Sequence, residues 1–490
     1  MRGSSAEKKL ALNAVVIAAG AFFAKVIGAF YRIPLTNLLG GAGLGLYQMV
    51  FPVYCILLDF AGAGLPCGLS KLVSENAAEQ NHAANASLLK TALLLMAAAG
   101  VAAFLIMFVF ARPIAALQGN VAAFKAYKAL APAVLFVALL SCYRGYFQGY
   151  QKMLPTALSQ LAEQLVKLGA GLFFVTLLMP SVEDAAAGAA AAVTLSEAVA
   201  LLGLFITWRV HKKRGTFAPF LHNGTQNTAD SKAVLCEIAP KKKARFRGDA
   251  AAILKICLPV TLVGIALPVS QMIDSFLIVN LLKKHTENAT ALFGLFTGGV
   301  QSVISLPVAI CYGVAVAVVP FLSGVSKRQA KGGGRYALYA LGGTLILSAL
   351  MAAACAIFAP LGVKILFFSL SAEEKLLIIR LLRFTAPCIV TMSVLQTANS
   401  VLIGKSRPYA PLVGLGAGVA VKTVLEIFLL PVQNIGIFAA AISLNACYFV
   451  AVFVNLLYII RVFKRQNARN EEKCDGSERK FTRKYKADCS

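Results

Sequence analysis

Apolar runs of about 20 residues recur from one end of the chain to the other, separated by short polar stretches. Each run is long enough to cross a hydrocarbon core of about 30 Å as a helix. The pattern predicts twelve spans. Six fall at about 10–33, 44–71, 86–111, 121–148, 155–179 and 185–208, and six at about 250–282, 290–323, 335–359, 376–404, 409–430 and 434–460. The longest must tilt, bend or protrude from the bilayer. Between the two sets, from Arg209 to Asp249, no apolar period persists. After Arg461 the chain is again basic and polar, a composition that cannot build a core. The predicted organisation is a six-helix lobe (1–208), a basic cytoplasmic linker (209–249), a second six-helix lobe (250–460) and a basic cytoplasmic tail (461–490).

Composition sharpens this picture. Of 490 residues, 59% are hydrophobic and only 14% charged. Soluble chains carry about 25% charge, so a soluble fold is excluded. The formal net charge of +26 suggests nucleic acid, but its location argues otherwise. Lys and Arg concentrate in alternate loops and in the tail, the positive-inside pattern of a multi-pass protein of the cytoplasmic membrane with both termini inside. The basic leader and the long run behind it predict an uncleaved first span. "HKKR" and "KKKARFR", within the linker, are expected to meet anionic lipid headgroups. Eleven cysteines form no CxxC pair, and four histidines fall in loops without metal spacing. Small buried hydrophobes are the simplest reading of the cysteines. Nothing in the sequence predicts a metal, a cofactor, an enzyme or a nucleic-acid partner.

The two sets of spans are weakly alike. At constant offset Gly64 meets Gly313 and Ser74 meets Ser323; further on, Gly149 meets Gly404 and Lys167 meets Lys422. Six spans per half give both halves one orientation, the parallel-repeat plan with a substrate site between halves. Charges inside the spans are the candidate chemistry. A cation at mid-bilayer costs about 2.5–3.5 kcal/mol even on insertion scales, so it faces protein or water. In "FFAKVIGAFYRIPL", Lys25 and Arg32 are seven apart and project from nearly one face, with Gly28 between them and Pro34 expected to end or bend the helix. Such a strip suits a phosphate or diphosphate, with Arg as a fork and Lys as a point charge. Alternatively, Lys25 pairs with Asp59 or Asp274 while Arg32 snorkels to headgroups. Glu163 and Lys167 are spaced to pair along the fifth span, and Lys422 and Glu426 along the eleventh. The carboxylates Asp59, Asp274, Glu163 and Glu426 are thus candidate charge partners or ion-coupling groups. Arg144 is expected to anchor the cytoplasmic end of its span, and Glu197 receives no role.

Three stretches carry a family resemblance: "FFAKVIGAFYRIPLTNLLGGAGLGLYQMVFPVYCILLDFAGAGLPCGLSKLVSE", "RGYFQGYQKMLPTALSQLAEQLVK" and "SLPVAICYGVAVAVVPFLS". They resemble the polysaccharide-biosynthesis branch of the multidrug/oligosaccharidyl-lipid/polysaccharide exporter (MOP) superfamily, nearest to the stage V sporulation protein B type and related to lipid II flippases. The resemblance implies a MATE-like fold, with two lobes around a central cavity and alternating access. It also implies transport of an undecaprenyl-diphosphate-linked oligosaccharide in peptidoglycan, spore-cortex or surface-polysaccharide assembly. Lys25, Gly28 and Arg32 match the basic first-span pattern of the flippases, with Lys where Arg is usual. Before Pro307, "QSVISLP" lacks the base those flippases carry, which leaves either another sugar or a charge supplied by Lys167 or Lys422. The resemblance makes a lipid-linked oligosaccharide the substrate and cell-wall synthesis proteins candidate partners. Two rival readings stand beside it: a multidrug–cation antiporter of the same fold, and a non-transporting scaffold for wall synthesis.

Overall fold

The computed structural model describes residues 3–79, 81–214, 246–313, 333–404 and 409–487, and these are almost entirely helical. Helix α1 is Gly3–Leu58, followed by a π turn at Asp59–Ala63 and by α2, Leu65–Ala78. Then come α3 (His82–Val109), α4 (Ala111–Leu117), α5 (Phe124–Gly149), α6 (Met153–Leu178) and α7 (Val182–Lys213). Helices α8 (Phe246–Gly264), α9 (Ala266–Leu282) and α10 (Ala289–Gly313) follow. The chain ends with α11 (Gly333–Ile357), α12 (Ala359–Leu366), α13 (Ala372–Thr385), α14 (Pro387–Gly404), α15 (Ala410–Leu429) and α16 (Phe438–Ala487).

Among the described residues nine helices are long and apolar enough to cross a membrane, and the pair α13–α14, bent by 47°, makes ten. Val26–Ala78 counts once in that number although α1 is broken at Gly40, and α9 is a shorter apolar helix behind α8. Described helix thus covers each of the twelve predicted spans at least in part. Residues 215–245, which hold most of the predicted linker, lie outside the described residues, as does the end of the eighth span beyond Gly313.

Several boundaries differ from expectation for physical reasons. Pro34 does not end the first helix. Thr36 Oγ1 bonds the Arg32 carbonyl at 2.7 Å and Asn37 Nδ2 the Ile33 carbonyl at 3.2 Å, so the helix continues past the proline. It breaks at Gly40, whose φ of 61° is a left-handed conformation that glycine takes without steric cost. Helix α7 runs on through Arg209 to Lys213, where three basic residues in the last turn complement the helix dipole. At its other end Ser181 caps the helix, and Lys125 bridges Glu183 at 3.2 Å and Asp184 at 2.8 Å. Helix α16 continues through 461–487, where composition predicts irregular chain; Lys, Arg and Glu are good helix formers.

The described residues form two compact units. The first holds α1–α9, the start of α10 and the loop 366–371. Its core includes Leu35, Leu44, Met49, Leu65, Tyr127 and Phe147, all fully buried. At the end of this unit remote from the chain's start, the segment after Gly40 meets α10 backbone to backbone. A Cβ on Gly294 would collide with the Gly41 carbonyl and lie 2.7 Å from the Gly45 Cα, and one on Gly45 would strike the Thr290 carbonyl. A rim of polar bonds surrounds this seam. Gln118 Nε2 donates to Ser275 Oγ at 2.8 Å and to the Met49 carbonyl at 3.0 Å, and Asn120 Nδ2 donates to Thr290 Oγ1 at 3.0 Å. Asn280 Nδ2 and Lys283 Nζ reach the Leu117 and Gly119 carbonyls, each at 2.8 Å. In the second unit Ala337, Ala398, Val401, Leu402 and Ile459 form a core. There α15 lies close on α16, with Gly414 against Asn455 and Gly418 against Cys447.

Candidate functional site

Helices α1 and α6 run side by side through small residues at near-heptad spacing. A Cβ on Gly20 would lie 2.7 Å from that of Ala157, one on Gly28 would lie 2.9 Å from Gln164 Oε1, and one on Gly171 would enter the Tyr31 ring. This contact fixes a row of polar groups between the two helices. Gly28 is thus a site where α6 presses its polar face onto α1.

The row contains an ion pair absent from the sequence reading. Arg144 of α5 donates from Nη2 to Glu163 Oε2 at 3.0 Å and from Nε to Ser159 Oγ at 3.1 Å. The other Glu163 oxygen accepts from Gln164 Nε2 at 2.9 Å. Both side chains are only about 15% exposed. Glu163 therefore takes Arg144 of a neighbouring helix, not Lys167 on its own. The i,i+4 spacing allows the latter, but the guanidinium fork offers two directed bonds, whereas the ammonium offers a point charge. Arg144 is consequently a partly buried structural cation as much as an anchor at its span end.

Lys167 is left with the faces of Tyr31 and Phe51, 5.7 and 5.9 Å from its Nζ to the ring centroids. No carboxylate among the described residues lies within 4.0 Å of it. Cation–π contacts hold a charge without neutralising it. Arg32 is within electrostatic reach of Lys167, and Tyr47 and Cys55 flank Arg32. Glu197 of α7 completes the cluster. It is 6% exposed, its Oε2 has no hydrogen-bond partner, and Glu163, Arg144 and Lys167 lie within electrostatic reach.

The remaining candidates separate by unit. The Lys25 side chain lies outside the described residues, and with it the expected pairing to Asp59 or Asp274. Asp59 sits in the π turn, 3.7 Å from where a Cβ on Gly264 would be, and so faces α8. Asp274 is buried in α9 beside Ser275. Lys422 and Glu426, 4% and 0% exposed, lie one turn apart inside the second unit. No group of His, Cys, Asp or Glu among the described residues could hold a metal. Of the described cysteines, Cys142, Cys257, Cys311, Cys388 and Cys447 are buried and Cys67 is exposed, all as free thiols. Sequence reasoning noted Glu197, a carboxylate in the middle of an apolar run, without giving it a role, and missed Arg144 as the partner of Glu163 and the tyrosines.

The family described as "Polysaccharide biosynthesis protein" matches residues 10–326. Over 318 residues the chain is 28% identical to stage V sporulation protein B of Bacillus subtilis (strain 168), covering 63% of this chain and 57% of that one. Over 483 residues it is 25% identical to the lipid II flippase MurJ of the same organism, covering 93% and 83%. Among solved structures, an inward-facing multidrug resistance MATE family transporter of the MOP superfamily superposes with a TM-score of 0.72 at 17% identity, over 91% of this chain and 96% of that one. The fold is thus the all-α, two-lobed polytopic fold of the MATE-like exporters.

Proposed function

The chain belongs to the polysaccharide biosynthesis protein family, and from that premise we propose that it is a flippase carrying an undecaprenyl-diphosphate-linked oligosaccharide across the cytoplasmic membrane by alternating access. It is a membrane transporter, not an enzyme, as its family and relatives are. The substrate reading rests above all on Lys167, a cation inside a membrane span with aromatic faces but, among the described residues, no carboxylate at ion-pair distance. Such a charge is retained against its desolvation cost where an anion visits. Arg32, close by, supplies a fork for phosphate oxygens, and Lys25, seven residues earlier in the sequence, is proposed as a second cation. Lys422, at the matching place in the second half by sequence offset, is proposed as a further substrate cation. Both termini are placed in the cytoplasm, so the glycine seam faces outward.

A carrier of organic cations needs an unneutralised carboxylate. Glu163 is occupied by Arg144, and Glu197 lies within electrostatic reach of both Arg144 and Lys167, so cations offset the carboxylates of the cluster, which favours an anionic cargo. Lipid II or a surface-polysaccharide precursor meets the requirement equally. The test is reconstitution in liposomes with lipid II and other undecaprenyl-diphosphate sugars, scoring headgroup access at the far leaflet. Transport of one such lipid, lost in Lys167→Ala, is the expected result. Cation-drug export with no lipid movement would overturn the assignment.

A further inference from the structure

Adjacent residues on α5 face opposite ways. Arg144 turns into the polar row, while Tyr143 turns away from it toward α7, where its ring meets Phe205 and Trp208 at centroid distances of 6.1 and 5.9 Å. On that side lies a separate apolar groove of about 340 Å³, walled by Leu93 of α3, Phe136, Leu139 and Tyr143 of α5, and Ala198 and Phe205 of α7. Its lining is carbon almost throughout, and it shares no side chain with the cationic cluster. At one end the aromatic floor runs into charge. Arg209 sits over the Phe205 ring at 5.0 Å, Lys212 over Trp208 at 5.1 Å, and Phe205 stacks on Trp208. Arg209 and Lys212 are exposed, and so is Lys90, one turn before Leu93 on the opposite wall.

We propose that this groove is a binding site for one anionic glycerophospholipid of the inner leaflet, its acyl chain along α3, α5 and α7 and its phosphate on Arg209 and Lys212. Charge complementarity selects the occupant. An apolar slot ending in two or three cations at the basic end of a span matches a lipid with a chain and a phosphate one headgroup apart. The slot is at the small end of the range for ligand pockets, on the scale of one straight acyl chain and not of a long branched polyisoprenoid. The aromatic shelf suits the interface depth where Tyr and Trp concentrate. The cations rest on rings that hold their stems in place and leave their N–H groups free to meet phosphate.

Native mass spectrometry of the full-length protein, released from neutral detergent after incubation with equal amounts of phosphatidylglycerol and phosphatidylcholine, tests the site. Each base engaged contributes about 1 kcal/mol, which converts to about fivefold, so retention of phosphatidylglycerol should exceed that of phosphatidylcholine by at least this factor. Arg209→Gln with Lys212→Gln should abolish the preference. Ala198→Phe, which fills the groove and leaves the cations, should lower retention of both lipids. A series of shortened acyl chains, ending in glycerol phosphate, repeats that test on the unaltered protein and decides the matter if Ala198→Phe fails to fold. Equal retention of the two lipids would overturn the proposal. So would a preference that survives loss of the chains, which marks a bare electrostatic patch, or undecaprenyl phosphate displacing phosphatidylglycerol, which gives the groove to the transported lipid.

Discussion

Replacing Arg144 by Ala would leave Glu163 partly buried without its ion-pair partner among the described residues; a fully buried pair broken in this way costs about 3–5 kcal/mol, and this partly exposed one should cost less. A marked drop in the thermal midpoint of the purified protein is expected for Arg144→Ala, and a smaller one for Arg144→Ala with Glu163→Gln, because the uncompensated charge is then gone. Equal losses would mean that the pair matters through packing alone. Lys167→Ala should behave in the opposite sense. With no ion pair to break among the described residues, it should fold near normally while flipping falls by an order of magnitude or more, read as headgroup access in liposomes beside the midpoint. Lys25→Ala is expected to do the same, and Lys25→Arg to retain much of the activity. The charged positions themselves were legible, because a base in an apolar run stands out. Their partners were not. Whether Glu163 meets Lys167 or Arg144 depends on how α5 and α6 face each other, and no spacing along one helix encodes that. Glu197 was visible as a lone carboxylate but meaningless until α7 brought it to α6.

At the scale of the element, the spans follow from the length of the apolar runs, and the start of α8 at Phe246, close to the expected 250, follows from the return of an apolar period there. Breaks were harder to read. Pro34 looked like the terminator, yet Gly40 is the break, because neighbouring side chains serve the carbonyls around a proline while nothing cheaply replaces a left-handed turn. The close contacts were legible only in part. Gly20 and Gly28 signal a small-residue stripe, but their partners Ala157 and Gln164 are ordinary helix residues. Gly171→Leu should force the Tyr31 ring aside and with it the aromatic face under Lys167. Reduced flipping with unchanged membrane insertion is expected, and Gly169→Leu, where a Cβ meets nothing within 4 Å, is its control. Full activity of Gly171→Leu would detach Tyr31 from function.

For the molecule as a whole, the proposed cargo couples transport to the membrane potential. A diphosphate carrying about two charges outward across about 100 mV gains up to roughly 4–5 kcal/mol if the charges cross the full field. Collapsing the potential at constant ion gradients should therefore slow flipping, and an unchanged rate would remove this driving force. In the proposed orientation, outward release would also part Gly45 from Gly294 and undo the bonds of Gln118, Asn120 and Asn280. Gln118→Ala should loosen that closure, seen as faster labelling of a cysteine placed at Thr290. That parting also uncovers hydrocarbon, because Leu44, fully buried, packs against Gly298 of α10 beside the buried Phe293 and Phe296. Wetting apolar surface raises heat capacity, so opening is expected to carry a positive change. The balance between shut and open then follows a curved van't Hoff line, with the closed seam firmest at an intermediate temperature and looser on either side of it.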